Sequence, residues 1–233
     1  MAVVVGNVLG NLKGKLGNLA ARTVEGKTIL SARPSSFNVN YDPSMVEVRQ
    51  RFAVTANFSK YVYDLPALAA IWQNYKAKGI SVCNTIFKAN FPFSNTIMPT
   101  ENNKICPDGF SLNVLNPVII SDSLRAEISP LNTVSVFSPE EVNVTISALI
   151  CFFNPGNLED PAFQLIKLFK DVPAFNFTTA YNLNIAFNVI EAGIADKYLN
   201  RTVYLCVATK NAAGKVIQHS SSFSSAIQAV ALT

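Results

Sequence analysis

The sequence predicts an α+β fold in three parts: a Gly-rich N-terminal arm with a β-hairpin, a small helical segment, and a C-terminal antiparallel β-sandwich. Three observations predict it. Glycines recur every three or four residues up to Gly17, and apolar residues follow Asp42 with helical spacing. Beyond residue 91, apolar and polar residues alternate in several short stretches. We therefore divide the chain into residues 1–36, 37–90 and 91–233.

The N-terminal arm is a poor candidate for a helix, because each glycine costs about 1 kcal/mol relative to alanine. A hairpin is predicted over residues 22–30 with Glu25 and Gly26 in its turn. Pro34 ends it, since proline donates no ladder bond. Such a unit buries little by itself, so we expect it to order against a neighbouring domain or subunit. The residues assigned to this assembly arm are Gly6, Gly10, Gly14, Gly17, Arg22, Gly26 and Arg33.

The helical segment begins at Asp42, a favourable N-cap residue followed by a proline at the first helical position. Helical spacing continues to the interruption at Pro66. A second helix is predicted over residues 66–78, closed by Gly79, and a third over residues 82–90. We interpret the aromatic residues of this segment as core between the helices, with an aromatic ligand platform as the alternative. These residues are Tyr61, Tyr63, Trp72 and Tyr75.

In the C-terminal part, alternation predicts half-buried antiparallel strands over residues 110–114, 142–152, 183–189 and 203–207. Shorter strands are predicted at residues 134–136 and 216–217, and a last one from residue 223 to 232. Residues 161–170 fit either a helical turn or a strand. About seven short strands separated by turns are typical of an immunoglobulin-like β-sandwich.

Charge is scarce and unevenly distributed. Only 15% of the residues are charged against about 25% in typical soluble domains, while 49% are hydrophobic, which excludes intrinsic disorder. Residues 1–90 hold 11 Lys and Arg against 4 Asp and Glu, and residues 91–233 hold 8 against 11. The net charge of +4 therefore combines a basic and an acidic part. This favours head-to-tail contact between copies, with nucleic-acid contact by the basic part as the alternative.

Membrane insertion and export by the general secretory route are not expected. Apolar runs stay short of the ~18 residues that span a bilayer, and the N-terminus lacks the pattern of a signal peptide. The four cysteines are far apart and accompany a single histidine. We expect free, mostly buried thiols in a reducing compartment, with neither a metal nor another cofactor. The cysteines are Cys83, Cys106, Cys151 and Cys206.

No group of residues predicts catalysis. His219 precedes three serines, but neighbours in a strand point to opposite faces, so we interpret it as an exposed strand histidine. The adjacent carboxylates at residues 140–141 and 159–160 are interpreted as turn residues, because a glycosidase pair lies on facing elements around a cleft. We therefore expect a protein that is not an enzyme, with no catalytic residues.

The N-terminal third also carries a family resemblance. The run from Gly14 to Asn18, Arg22-Thr23, Gly26-Lys27, Ile29 and Arg33-Pro34 resembles the opening of an uncharacterised protein family seen mainly in Bacteroidetes genomes and their phages. Residues 51–53 and 81–84 are similar to the helical segment of that family. The resemblance covers roughly residues 10–90. It implies a phage or prophage-related structural protein and carries no catalytic residues with it.

These features favour a non-enzymatic structural component of a bacteriophage virion, in its tail, neck or capsid-associated layer. It would assemble in the bacterial cytoplasm with copies of itself and other virion proteins, without membrane or nucleic acid. One alternative is a carbohydrate- or receptor-binding β-sandwich, and another is DNA contact through residues 1–90. The aromatic residues that motivate the first alternative are Phe91, Phe93, Phe152, Phe153, Phe175 and Phe177.

Overall fold

The protein has an α+β architecture with antiparallel sheets. A computed structural model describes residues 2–4, 14–24, 26–33, 36, 39–120 and 122–228. The chain divides into two compact units, Met1–Val46 with Ala77–Gly79, and Glu47–Lys76 with Ile80–Thr233. The three-part division at residues 36 and 90 stays a prediction.

The first unit contains a four-stranded antiparallel sheet in the order β1-β4-β3-β2. Its strands are β1 (Ala2–Val4), β2 (Gly14–Leu16), β3 (Leu19–Val24) and β4 (Lys27–Ala32). The pairing of β3 with β4 confirms the predicted hairpin. Gly26 has a φ of +76° in the turn, a backbone region that glycine adopts without a steric penalty. The other turn residue, Glu25, lies outside the described residues.

Three helices follow: α1 (Pro43–Tyr63), α2 (Pro66–Tyr75) and α3 (Val82–Asn90). Asp42 caps α1 as predicted. Its carboxylate accepts hydrogen bonds from the hydroxyl and the backbone N–H of Ser44, and these bonds lower the pKa of Asp42. The second helix is shorter than predicted, because the backbone becomes extended at Lys76 with a ψ of 137°.

Two further antiparallel sheets make up most of the second unit. Their strands are β5 (Val114–Ile120), β6 (Ser123–Ile128), β7 (Asn143–Pro155), β8 (Phe163–Val172), β9 (Tyr181–Ala186), β10 (Tyr198–Lys210), β11 (Val216–His219) and β12 (Phe223–Gln228). One sheet has the order β5-β6-β9. In the other, β7 lies between β8 and β10, and both β11 and β12 pair with the outer edge of β10. A short helix, α4 (Val189–Ala195), lies between β9 and β10.

The two long central strands, β7 and β10, are buried on both faces. On one face, Ile150 packs in a core that includes Leu124 of the three-stranded sheet. On the other face, Leu149 and Tyr204 pack in a second core formed with α1, α2 and α3. The ring of Tyr204 meets that of Phe58 edge to face, with centroids 5.4 Å apart. The helices and the three-stranded sheet thus cover opposite faces of the five-stranded sheet.

This two-sided burial corrects the prediction of a half-buried strand at residues 142–152. The polar positions Thr145 and Ser147 are buried, as are Leu149 and Cys151 on the same face. Leu149 and Cys151 are buried because the helical segment packs on them. Half-exposed antiparallel strands alternate clearly, whereas strands covered on both faces need not.

Other boundaries also differ from the prediction. Residues 134–136 are not a strand but follow a 3₁₀ turn at Leu131–Thr133. Of the two structures considered for residues 161–170, the strand is confirmed by β8. The strand predicted over residues 183–189 ends at Ala186, because Asn188 caps α4. Phe110 makes only an isolated bridge to Ser220. The predicted strand over residues 203–207 lies within β10 and is confirmed.

The two-sided core predicts matched losses of stability. Leu149→Ala and Ile150→Ala should each lower the free energy of unfolding by about 2–5 kcal/mol, because both side chains are fully buried. Leu199→Ala, on the same sheet but 53% exposed, should lower the free energy of unfolding by well under half as much. Urea denaturation measures all three. A Leu149→Ala protein as stable as the Leu199→Ala control would contradict burial of the second face.

Candidate functional site

The residues assigned to the assembly arm fall within the first unit. Gly14 begins β2, Gly17 lies in the turn before β3, and Arg22 lies in β3. Gly26 lies in the hairpin turn, and the backbone N–H of Arg33 donates to the carbonyl of Asn18 at 2.7 Å. These five residues therefore belong to one sheet. Gly6 and Gly10 lie outside the described residues.

The pairing register gives this sheet two different faces. Directly opposed residues share a face, and successive residues alternate. Leu19, Ala21 and Leu30 therefore lie on one face, which we call the apolar face, together with Thr23, Thr28 and Ala32. Lys15, Arg22 and Lys27 lie on the other, the basic face, together with Ala20, Ile29 and Ser31. Arg22 and Lys27 are exposed. The sheet thus presents a surface suited to packing and a surface suited to anions or acidic partners.

A second cluster of functional side chains lies where the segment connecting β11 and β12 meets the loop after α3. Ser220 of this segment pairs through its backbone with Val207 of β10. Phe110 of the loop donates its backbone N–H to the carbonyl of His219. The loop and the segment therefore run side by side along the edge of β10, which carries Cys206.

The loop itself is held by side-chain hydrogen bonds rather than by regular structure. The indole N–H of Trp72 donates to the carbonyl of Ile105 at 2.8 Å, and the side-chain oxygen of Asn90 accepts from the backbone N–H of Lys104 at 2.7 Å. The hydroxyl oxygen of Ser222 accepts from the backbone N–H groups of Ile105 and Cys106 at 2.7 and 3.0 Å. These bonds place Cys106 against the strand edge.

The thiol of Cys106 lies in a fully buried polar site. Its sulfur is 3.1 Å from the carbonyl oxygen of Ser220 and 3.5 Å from the hydroxyl of Ser222. The sulfur of Cys206 lies 3.8 Å from the same Ser220 carbonyl. The two thiols, a hundred residues apart in sequence, thus share one acceptor. Both cysteines have no exposed surface.

His219 completes this cluster. Its Nδ1 is 3.1 Å from the carbonyl oxygen of Ser220, and its Nε2 is 3.2 Å from the hydroxyl of Tyr75. Gly109 leaves room for the ring and backbone, because a Cβ at that position would lie 2.1 Å from the His219 carbonyl oxygen. His219 lies in β11, as the interpretation of a strand histidine predicted, but it is half-buried rather than exposed. The loop carrying Cys106 covers it.

The pKa values follow from these contacts. Burial alone would raise the pKa of Cys106, but hydrogen bonds from Cys206, His219 and Ser222 and the charge of His219 lower it to about 6. Burial alone would lower the pKa of His219, but its bond to Cys106 raises it. Burial and the neighbouring Cys106 raise the pKa of Cys206 well above its usual value. Loss of the Cys106 proton, which otherwise bonds the Ser220 carbonyl, would therefore give a thiolate near a positively charged His219 and a protonated Cys206.

The buried position of Cys106 limits what the cluster can do. A nucleophilic cysteine of an enzyme needs access to its substrate, and such sites are partly exposed. Cys106 exposes no surface even to water, so a substrate or a small oxidant reaches it only when the loop over it moves aside. No sequence pattern indicates the cluster beyond the isolated His219, because Cys106, Cys206 and Ser222 come together only through the fold.

The two carboxylate pairs do not form an acid–base site. Glu141 is buried and accepts from the backbone N–H of Ser138 at 2.8 Å, the side-chain amide of Gln218 at 3.0 Å, and the hydroxyl of Thr209. Asp160 forms an ion pair with Lys197 at 3.0 Å. One carboxylate of each pair, Glu141 or Asp160, thus has a structural partner.

The aromatic residues considered for ligand binding are dispersed. Phe152 and Phe175 belong to the core of the second unit, and Trp72 belongs to the helical core, as predicted. Tyr63 and Tyr75 are instead about half exposed. Phe175 and Phe177 also line an open cleft of about 650 Å³ with Phe137. The rings of Phe137 and Phe177 stack at 4.3 Å between centroids, which occupies the faces that a ligand would need.

Comparison with family models, curated proteins and solved structures gives no match. Among the described residues, none of the helices is both long and apolar enough to cross a bilayer. Within the same residues, no group of three His, Cys, Asp or Glu side chains is placed to hold a metal ion. Functional inference therefore rests on the geometry of the N-terminal sheet and of the cluster around Cys106.

The lowered pKa of Cys106 predicts a thiolate that forms well below the usual range. Ultraviolet thiolate absorbance of the folded protein should show a step with its midpoint near pH 6, absent in Cys106→Ser and retained in Cys151→Ser. His219→Asn should move the midpoint upward, because it removes the positive charge and a donor. If the wild-type and Cys106→Ser titrations differ only near the pH at which free thiols ionise, the proposed ion pair is absent.

Proposed function

We propose that this chain is a non-enzymatic structural subunit of a bacteriophage particle that assembles with other copies through its N-terminal sheet. One observation carries the proposal: among the described residues of the sheet, no apolar side chain is buried. Among the described residues, the two hydrophobic cores are formed by residues of the second unit. Within the described part of residues 14–46, only Thr28 is buried.

Small sheets need a covered apolar face to be stable in water. The apolar face places Leu19, Ala21 and Leu30 together, and each of them keeps part of its surface exposed. Strands of three to six residues cannot offset the conformational entropy of ordering with so little burial. Packing against another subunit would supply the missing burial.

A stripe of apolar side chains on α1 supports the same conclusion. Met45, Val48 and Phe52 are spaced for one helix face and are 43%, 49% and 55% exposed. Tyr41, just before the helix, is 78% exposed. Apolar side chains in continuous patches mark surfaces that bind other proteins.

Charge complementarity supports a second copy as the partner. The basic part of the chain, with the basic face of the sheet, complements the excess of acidic residues in residues 91–233. Contact between unlike surfaces of successive copies builds rings or filaments, which are the forms that tail, neck and capsid layers require. For the two sheets that share one core, we propose an immunoglobulin-like sandwich as the body of the subunit.

A pair of matched variants tests the assembly surface. Leu30→Asp places a charge on the apolar face, whereas Ile29→Asp places the same charge on the opposite face one residue away. Light scattering after size-exclusion chromatography should show an oligomer for wild type, largely monomer for Leu30→Asp, and an oligomer for Ile29→Asp. Raising the salt concentration should weaken assembly, because screening reduces attraction between opposite charges.

Two outcomes would overturn this proposal. A wild-type protein that stays monomeric at high concentration would show that the sheet does not pack against another subunit. Equal disruption by both variants would show that the apolar face has no special role. Circular dichroism of each variant shows whether the central sheet remains folded, so that loss of assembly is not confused with unfolding.

The particle itself requires a separate test. Mass spectrometry of purified phage particles from the source genome should find this chain in many copies per particle. Its absence from particles, together with intact self-assembly in solution, would reject the virion setting and leave the subunit proposal standing.

A further inference from the structure

We propose that Cys106 and Cys206 form an oxidisable thiol pair, which hydrogen peroxide converts to a disulfide that ties the loop after α3 to the central strand β10. This inference is independent of the proposed assembly function. It rests on the meeting of two buried thiols and a histidine at the Ser220 carbonyl.

Proximity is the first part of the argument. The sulfurs of Cys106 and Cys206 lie 3.1 and 3.8 Å from the same Ser220 carbonyl oxygen, which makes them neighbours across the strand edge. Each cysteine sits on a backbone fixed by hydrogen bonds, Cys106 through Ser222 and Cys206 within β10. The second thiol is therefore already in place when the first is oxidised.

Activation is the second part. Peroxide reacts with a thiolate and not with a neutral thiol, so a reactive cysteine needs nearby cations or donors. Cys106 has both, because the hydroxyl of Ser222 lies 3.5 Å from its sulfur and His219 shares the Ser220 carbonyl with it. Cys151 provides an internal comparison, since it is equally buried but its pKa is raised to about 12 by burial. The fold therefore distinguishes two buried cysteines by their surroundings.

The reaction is balanced as two successive displacements. The Cys106 thiolate attacks one oxygen of peroxide, the O–O bond breaks, and the leaving hydroxide takes a proton from the His219 imidazolium to give water and a sulfenic acid. The Cys206 sulfur then attacks the Cys106 sulfur, the S–O bond breaks, and the leaving hydroxide takes the Cys206 proton as a second water. The two sulfurs together lose two electrons, which peroxide accepts.

The test exposes the folded, full-length chain to hydrogen peroxide, unfolds it in acid, and then alkylates every remaining thiol at neutral pH. Intact mass should show that two of the four cysteines escape alkylation and that two hydrogen atoms are lost. Peptide mapping should place the link between Cys106 and Cys206. Cys106→Ser and Cys206→Ser should abolish the link, and Cys151→Ser should retain it.

His219 provides a second readout that a merely close pair would not show. At pH 6, His219→Asn should form the disulfide about tenfold more slowly. In this variant a smaller fraction of Cys106 is thiolate, and this loss outweighs the higher nucleophilicity of a thiolate whose pKa is higher. Circular dichroism confirms that each variant is folded, and Cys106→Ala replaces Cys106→Ser if the latter is not.

Three results would overturn the proposal. The first is alkylation of all four cysteines after peroxide treatment. The second is a disulfide that includes Cys83 or Cys151, or one between chains. The third is an equal rate of disulfide formation in wild type and His219→Asn at pH 6.

Discussion

The burial of β7 and β10 on both faces is the constraint on which the rest of the second unit depends. The two strands pair along nearly their whole length, from Tyr198 opposite Pro155 to Lys210 opposite Asn143. The helices pack on one face of this strand pair, and the three-stranded sheet packs on the other. The side chains of β7 and β10 therefore determine where both layers lie. Burying apolar area on both sides of one sheet yields two cores from a single pair of strands.

The backbone groups along the edge of β10 then determine where polar side chains come together. The strand edge pairs with the segment carrying His219 and Ser220, and the loop with Cys106 closes over it. The thiols and imidazole are removed from water, so each must find a partner in the protein. The shared Ser220 carbonyl supplies one, and this requirement brings the three side chains together. A polar cluster of this kind follows from a loop that crosses a buried strand edge.

The sequence predicted the helices better than the sheets. Asp42-Pro43 and Pro66 mark helix starts through local chemistry, so α1, α2 and α3 were located closely. The strand β6 was not predicted, although its buried Leu124, Ala126 and Ile128 alternate with the more exposed Arg125 and Glu127; the stretch is only six residues long. The coverage of β7 by helices was also missed, since no local pattern states what packs on a strand. The cluster around Cys106 depends on that same long-range packing and has no local signal.

The first unit stands in contrast to this well-buried second unit. We propose that another copy completes the sheet of the first unit. Hydrogen exchange measured by mass spectrometry at low and high protein concentration tests this most directly, with β7 and β10 as an internal reference. The account predicts that protection of residues 14–32 rises with concentration while that of β7 and β10 stays constant. Protection of residues 14–32 that is the same at both concentrations, in a protein shown to be monomeric, would contradict it.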